Sequence, residues 1–164
     1  MKVHPGLIAS FCGLALMAVC CEPFEKVSDV PEVKFKSFTL YELDTLDMKI
    51  KVGELVFNFV DGNADFGIDE SSEPEDTVNL FMIAYQKTGL EYDSLSMDTY
   101  GRKYTVLNDE NMVRTGQNKT IKGEIKVDVY YFLTPPFDTI RYAFYIKDRA
   151  GNLSNIDFST DIGF

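Results

Sequence analysis

From Ile121 to Tyr131 the chain alternates with a period of two. Ile121, Gly123, Ile125, Val127, Val129 and Tyr131 are interleaved with Lys122, Glu124, Lys126 and Asp128. In an extended strand successive side chains point to opposite faces, whereas one face of a helix recurs every three or four residues. The pattern therefore predicts a strand with one buried face and one wet face. It recurs at Ile140, Tyr142, Phe144 and Ile146 against Arg141 and Lys147. It recurs again at Ile156, Phe158, Thr160 and Ile162 against Asp157, Ser159 and Asp161. Residues 33–43 form a further candidate, rich in β-formers.

Two stretches depart from simple alternation. Met48, Ile50 and Val52 alternate with Lys49 and Lys51, but the next apolar set is Leu55, Phe57 and Phe59. The phase flips at Gly53-Glu54, where a β-bulge or tight bend is expected to restore the inward face. Residues 77–85 (TVNLFMIAY) are apolar on both faces, as for a central strand covered on each side. Residues 101–107 are a weaker seventh candidate, and no segment carries three turns of amphipathic helix. Six or seven strands separated by turn clusters predict an all-β, antiparallel β-sandwich over residues 32–164.

The segment Asp148-Arg149-Ala150-Gly151-Asn152-Leu153-Ser154-Asn155 narrows the expectation. It resembles the D-x-A-G-N-x-S hairpin that joins the last two strands of many bacterial immunoglobulin-like and fibronectin-III-like repeats. Gly151-Asn152 suits a hairpin turn, since both residues tolerate positive φ. The resemblance implies an immunoglobulin-like sandwich of about seven strands.

The N-terminus reads as an address. Lys2 supplies one fixed positive charge, and residues 6–19 are then free of charge, up to Cys20 and Cys21. An apolar run of this length behind a basic start is a secretory signal pattern, and it is shorter than the roughly 20 residues of a membrane span. Glu22, Pro23 and Glu25 follow it in place of a basic stop-transfer flank. The third cysteine, Cys12, lies within the signal, so residues 22–164 contain none and cannot form the disulfides common in small exported domains.

The region around Cys20 and Cys21 resembles the lipobox of bacterial lipoproteins, in which a cysteine sulfur receives diacylglycerol and becomes the mature N-terminus. Its preceding residue is Val19 for Cys20 and Cys20 for Cys21, and the smaller of these favours Cys21 as the lipidated position. The layout is then a lipoprotein signal peptide at 1–20, a tether at 21–31 and the sandwich at 32–164. Together the motifs resemble small Gram-negative lipoproteins with one such domain. That resemblance implies a cell-envelope protein lipid-anchored to the outer membrane, with a covalent lipid of two or more acyl chains as its stable hold.

Removing the signal leaves about 144 residues, enough for one domain with a proper core. Lys plus Arg number 16 against 26 Asp plus Glu, a net charge of −10. Such a surface repels phosphate backbones, which argues against nucleic acid as a partner. It also opposes direct adsorption to anionic lipid, leaving the anchor as the membrane contact.

Residues 61–76 (DGNADFGIDESSEPED) hold seven carboxylates and no basic residue. In similar lipoproteins this place reads D-G-D-G-D-I-G. Asp61, Asn63, Asp65 and Asp69 have spacing that suits a hard cation such as Ca²⁺. The calcium-loop pattern requires glycine at its sixth position and a bidentate glutamate at its twelfth, and Phe66 and Ser72 stand there. A solvated turn-rich connection fits the same residues.

Catalysis is poorly provided for. The single histidine, His4, lies in the signal, so residues 21–164 offer no imidazole for a triad or zinc site. Tyr92, Tyr100, Arg102, Lys103 and Tyr104 surround a predicted loop and edge strand. Tyr and Arg favour recognition hot spots, so Tyr100, Arg102 and Tyr104 are the candidate binding residues. The absence of tryptophan counts against a sugar-stacking platform. Thr134-Pro135-Pro136 reads as a plain connection. The sequence thus points to a non-catalytic binding or accessory module with an envelope protein or glycan as partner. The alternatives are a calcium-stabilised adhesion module and a glycan-acting protein.

Overall fold

The computed structural model describes residues 27–44, 48–68, 78–96, 101–107, 113–115 and 120–164. The described residues form two antiparallel sheets and no helix. The first sheet contains β1 (Glu32–Asp44), β2 (Lys49–Asp61), β7 (Thr120–Tyr131) and the short β6 (Val113–Thr115), in the order β1-β2-β7-β6. The second runs β10-β8-β3-β4, from β10 (Ile162–Gly163), β8 (Thr139–Ile146), β3 (Leu80–Thr88) and β4 (Glu91–Ser94). On its flanks β5 (Arg102–Tyr104) pairs with β3, and β9 (Asp157–Phe158) pairs with β8.

The alternation in β7 is realised as read. Ile125, Val127, Val129 and Tyr131 are buried, while Glu124, Lys126, Asp128 and Tyr130 are exposed. From the first sheet Leu55, Phe57 and Phe59 enter a shared core with Leu80, Met82, Tyr142 and Phe144 of the second. The rings of Phe57 and Phe144 meet across the sheets with centroids 4.7 Å apart. Each fully buried large side chain contributes about 1.5–3 kcal/mol, so this layer dominates stability.

Gly53 corrects the expectation of a bulge. β2 runs unbroken through Gly53-Glu54, and the register shift of its ladder with β1 falls between Phe35 and Ser37 instead. Gly53 occupies an inward position without a side chain because Phe38 and Tyr131 fill its place. A Cβ there would lie 2.3 Å from Phe38 Cζ and 3.0 Å from Tyr131 Cε2. Strand phase is therefore constant, and Val52 is an apolar residue on the outer face.

β3 also differs from expectation in its covering. Leu80, Met82 and Ala84 are buried inward, but Phe81, Ile83 and Tyr85 are only half-buried on the outside. There Phe81 stacks on Tyr145 at 4.9 Å with ring planes 11° apart.

The 148–155 hairpin follows its sequence. Gly151 adopts φ 89°, and the Asp148 carboxylate accepts hydrogen bonds from Asn152 N (2.7 Å) and Nδ2 (2.8 Å). The last strand is broken into β9 and β10 because serine hydroxyls replace part of its ladder. Ser154 Oγ accepts from Ile146 N at 3.0 Å and Ser159 Oγ from Tyr142 N at 2.9 Å. The same stretch fastens the other sheet. Asn155 Oδ1 accepts from Val33 N (2.8 Å), Asn155 Nδ2 donates to Val33 O (2.9 Å), and Asp157 Oδ2 accepts from Phe35 N (2.6 Å).

Candidate functional site

The β1–β2 and β2–β7 registers place Tyr41, Val52 and Tyr130 in one row on the outer face of the first sheet. Leu43 and Ile50 form the next row. Val52 is sealed at 1% exposure although it faces outward, whereas Tyr41 and Tyr130 remain 42% and 59% exposed. Partial desolvation raises the Tyr41 phenol above its ordinary pKa, reinforced by Asp128 and Glu54 on the same face. Immediately past β7, Phe132 is 80% exposed. Apolar groups gathered in this way on a soluble surface mark a contact site more often than isolated ones do.

Beside this row a cleft of about 330 Å³ opens between the sheets. Tyr130, Phe132, Pro135 and Pro136 line its walls, and Arg102 stands on the β5 side. Tyr131 and Tyr142 also line it, one from each sheet, and the Tyr131 hydroxyl donates to Tyr142 Oη at 3.0 Å. Burial raises both phenols above the ordinary tyrosine value, and the Arg102 charge partly opposes this. Apolar walls with a few converging polar groups suit a compact ligand or an inserted side chain.

The candidate binding residues separate. Arg102 and Tyr104 share the core-facing side of β5, opposite Met82 and Leu80. Arg102 borders the cleft, but Tyr104 borders a different, open groove of about 560 Å³ beside β7. Tyr100 lies outside the described residues, as do Cys20, Cys21 and Asp69. Tyr130, Phe132, Pro135 and Pro136 escaped the sequence reading. The signal available was the unbroken run Tyr130-Tyr131-Phe132-Leu133, which abandons alternation where β7 ends.

The acidic loop occupies the opposite end of the domain. Gly62 N donates to Ser28 O at 3.0 Å, so residues approaching β1 already rest on this loop. Asp61 is fully buried, and its Oδ2 accepts from Phe66 N at 2.7 Å. That bond folds the loop back so that Phe66 meets Phe59 at 4.9 Å. Asn63 Oδ1 accepts weakly from Asp65 N at 3.4 Å. Oδ1 of Asp61 and Oδ1 of Asp65 are buried without a hydrogen-bond partner among the described residues. Burial raises the Asp61 carboxyl above the usual range; Asp65 and Asp148 add to this, and the Phe66 N–H opposes it. No group of three or more His, Cys, Asp or Glu side chains among the described residues is arranged to hold a metal ion.

No protein-family profile matches this sequence, and no curated protein matches it.

Proposed function

We propose that the chain is a lipid-anchored envelope protein presenting a non-catalytic, immunoglobulin-like binding module, with the aromatic cleft as its recognition site. Strand order supports the immunoglobulin-like part. With β1, β2, β3, β4, β6, β7, β8 and β10 lettered A, B, C, C′, D, E, F and G, the sheets read A-B-E-D and G-F-C-C′. The observation that carries the binding reading is the placement of the cleft. It lies near Tyr41 and Tyr130, whereas the chain enters at Glu32, nine residues away along β1, or about 30 Å. An anchor at Cys21 or Cys20 therefore leaves the cleft uncovered.

Two experiments test this reading. Cys20→Ser with Cys21→Ser is expected to move the protein from the membrane fraction to the soluble fraction; retention in the membrane rejects the anchor. Cross-linking in native cells is expected to capture an envelope protein or glycan with the unaltered chain and to lose it with Tyr130→Ala plus Phe132→Ala. Equal capture by both forms rejects the cleft.

A second reading, a calcium-stabilised module, draws support from the orphaned Oδ1 atoms of Asp61 and Asp65. Buried carboxylate oxygens without donors are costly, and a hard cation between them relieves that cost. A melting temperature unchanged between EDTA and millimolar Ca²⁺ rejects it.

A further inference from the structure

On the outer face of the second sheet the β3–β8 register sets Tyr85 opposite Arg141. β4 lies beyond β3 and β9 beyond β8, and each sends a ring toward the arginine. The guanidinium carbon of Arg141 is 3.5 Å from the ring centroid of Tyr92 on β4 and 4.8 Å from that of Phe158 on β9. The ring of Tyr85 is 6.0 Å away. Four strands thus build an aromatic box around one cation, and the attraction of the rings holds its planar head in place. Phe158 is exposed, so the box is open to solvent on that side.

The box leaves the hydrogen bonding of this cation unmet. Arg141 Nε is buried without an acceptor, and Arg141 forms no hydrogen bond or ion pair among the described residues. The neighbouring carboxylate is already engaged. One oxygen of Asp161 accepts from Lys87 Nζ, and the other accepts from the Tyr92 hydroxyl at 2.7 Å. Rings orient a guanidinium but accept none of its in-plane N–H groups, and a buried donor left unmet is costly. A carboxylate arriving in the guanidinium plane supplies two parallel, charge-assisted hydrogen bonds.

The surroundings select the kind of carboxylate. The ladders place Lys87 beside Tyr92 and Lys103 beside Phe81 on this same face, a basic surface on a chain of net charge −10. Ile83 and the Phe81–Tyr145 pair lie between them, half-buried. Ring faces are largely spent within the protein: Phe81 stacks on Tyr145, and Arg141 lies on Tyr92. A sugar ring needs a free aromatic face to stack on. An acidic side chain flanked by apolar ones needs only the cation and the apolar surface beside it.

We infer that Arg141 anchors a second recognition surface, on the outer face of β3, β4, β8 and β9, which binds a carboxylate of an acidic, apolar-flanked peptide segment of a partner protein. The surface is separate from the cleft, since none of the box residues lines that opening. Lys87 and Lys103 draw the acidic segment in, and the box sets where its carboxylate docks.

The test uses the full chain extracted in mild detergent, ¹⁵N-labelled at arginine. The probe is a fluorescent octapeptide alternating glutamate and leucine, compared with its glutamine–leucine counterpart and with an oligosaccharide of uronic acids. The glutamate peptide alone is expected to bind and to shift the Nε–H signal of Arg141, which is identified by its loss in Arg141→Lys. Arg141→Lys keeps the charge but loses the fork, and is expected to weaken binding at least about tenfold. Arg141→Gln should abolish it, while Lys34→Gln, on the first sheet, should leave it unchanged. Melting temperatures establish that the variants are folded; if the glutamine variant unfolds, the lysine variant decides. Absent peptide binding by the parent overturns the proposal, as does undiminished binding by Arg141→Lys. Binding of the glutamine peptide or of the uronic acid oligosaccharide in place of the glutamate peptide also overturns it.

Discussion

Tyr131 donates a buried 3.0 Å hydrogen bond to Tyr142, and that bond ties β7 of one sheet to β8 of the other. Tyr131→Phe leaves the Tyr142 oxygen without its donor, and Tyr142→Phe leaves the Tyr131 hydroxyl without its acceptor. An unmet buried polar group costs about 1–3 kcal/mol, whereas removing both partners is nearly neutral. Urea denaturation should therefore find each single variant destabilised and the double variant closer to the parent than their sum. Additive losses would show that the bond contributes little.

Gly53 and Phe38 form a second pair, this time steric. Gly53→Ala puts a methyl group where Phe38 Cζ now lies, and overpacking of this kind costs about 1–3 kcal/mol. Phe38→Leu combined with Gly53→Ala should recover part of that loss. The check is a double-mutant cycle read by denaturation; zero coupling contradicts the packing described.

Asp61 gives the domain a pH dependence opposite in sign to that of a salt-bridged carboxylate. Its folded pKa is raised, chiefly by burial. Between the ordinary carboxylate value and that raised value the folded state binds more protons than the unfolded state. Stability contributed by this group is thus full at low pH and is lost as pH rises through the window. Asp61→Asn keeps an acceptor for Phe66 N–H and removes the charge. In EDTA it should raise the melting temperature at neutral pH and have little effect in acid. A lower melting temperature at neutral pH, in the presence of EDTA, contradicts this.

The clamp on β1 is separable into its two halves. Asn155→Ala strips Val33 of both backbone partners and should cost about 1–3 kcal/mol, with faster exchange of the Val33 amide. Asn155→Asp keeps the acceptor and loses the donor, so its effect should be intermediate. Unchanged exchange at Val33 in the alanine variant contradicts the clamp.

The sequence carried some of this structure and not the rest, for identifiable reasons. β7 and β8 were legible because one face is buried and the other wet, so the period of two is written in their residues. β4 and β6 were not, being four and three residues long, too short for periodicity to show. Gly53 misled because the chain's own pattern does not show that Phe38, from a neighbouring strand, fills an inward gap. The cleft stayed hidden for a related reason. Arg102 is remote in sequence from Tyr130 and Pro135, and only the facing of two sheets brings them to one opening. Asp61 was noticed for its spacing, but its complete burial depends on Phe66 and on the approach of residue 28.

The hydrogen bonds from Asn155 to Val33 join positions 122 residues apart. β1 pairs with the neighbouring β2, but its Val33 end cannot be clamped until almost the whole chain is available. Contacts so distant in sequence slow folding, because a long loop must close before they form. On the proposed reading, in which the chain is exported from its N-terminus, that delay would be useful. The stretch leaving first would keep an unfinished edge, and the clamp at Val33 would close only when the last residues arrive.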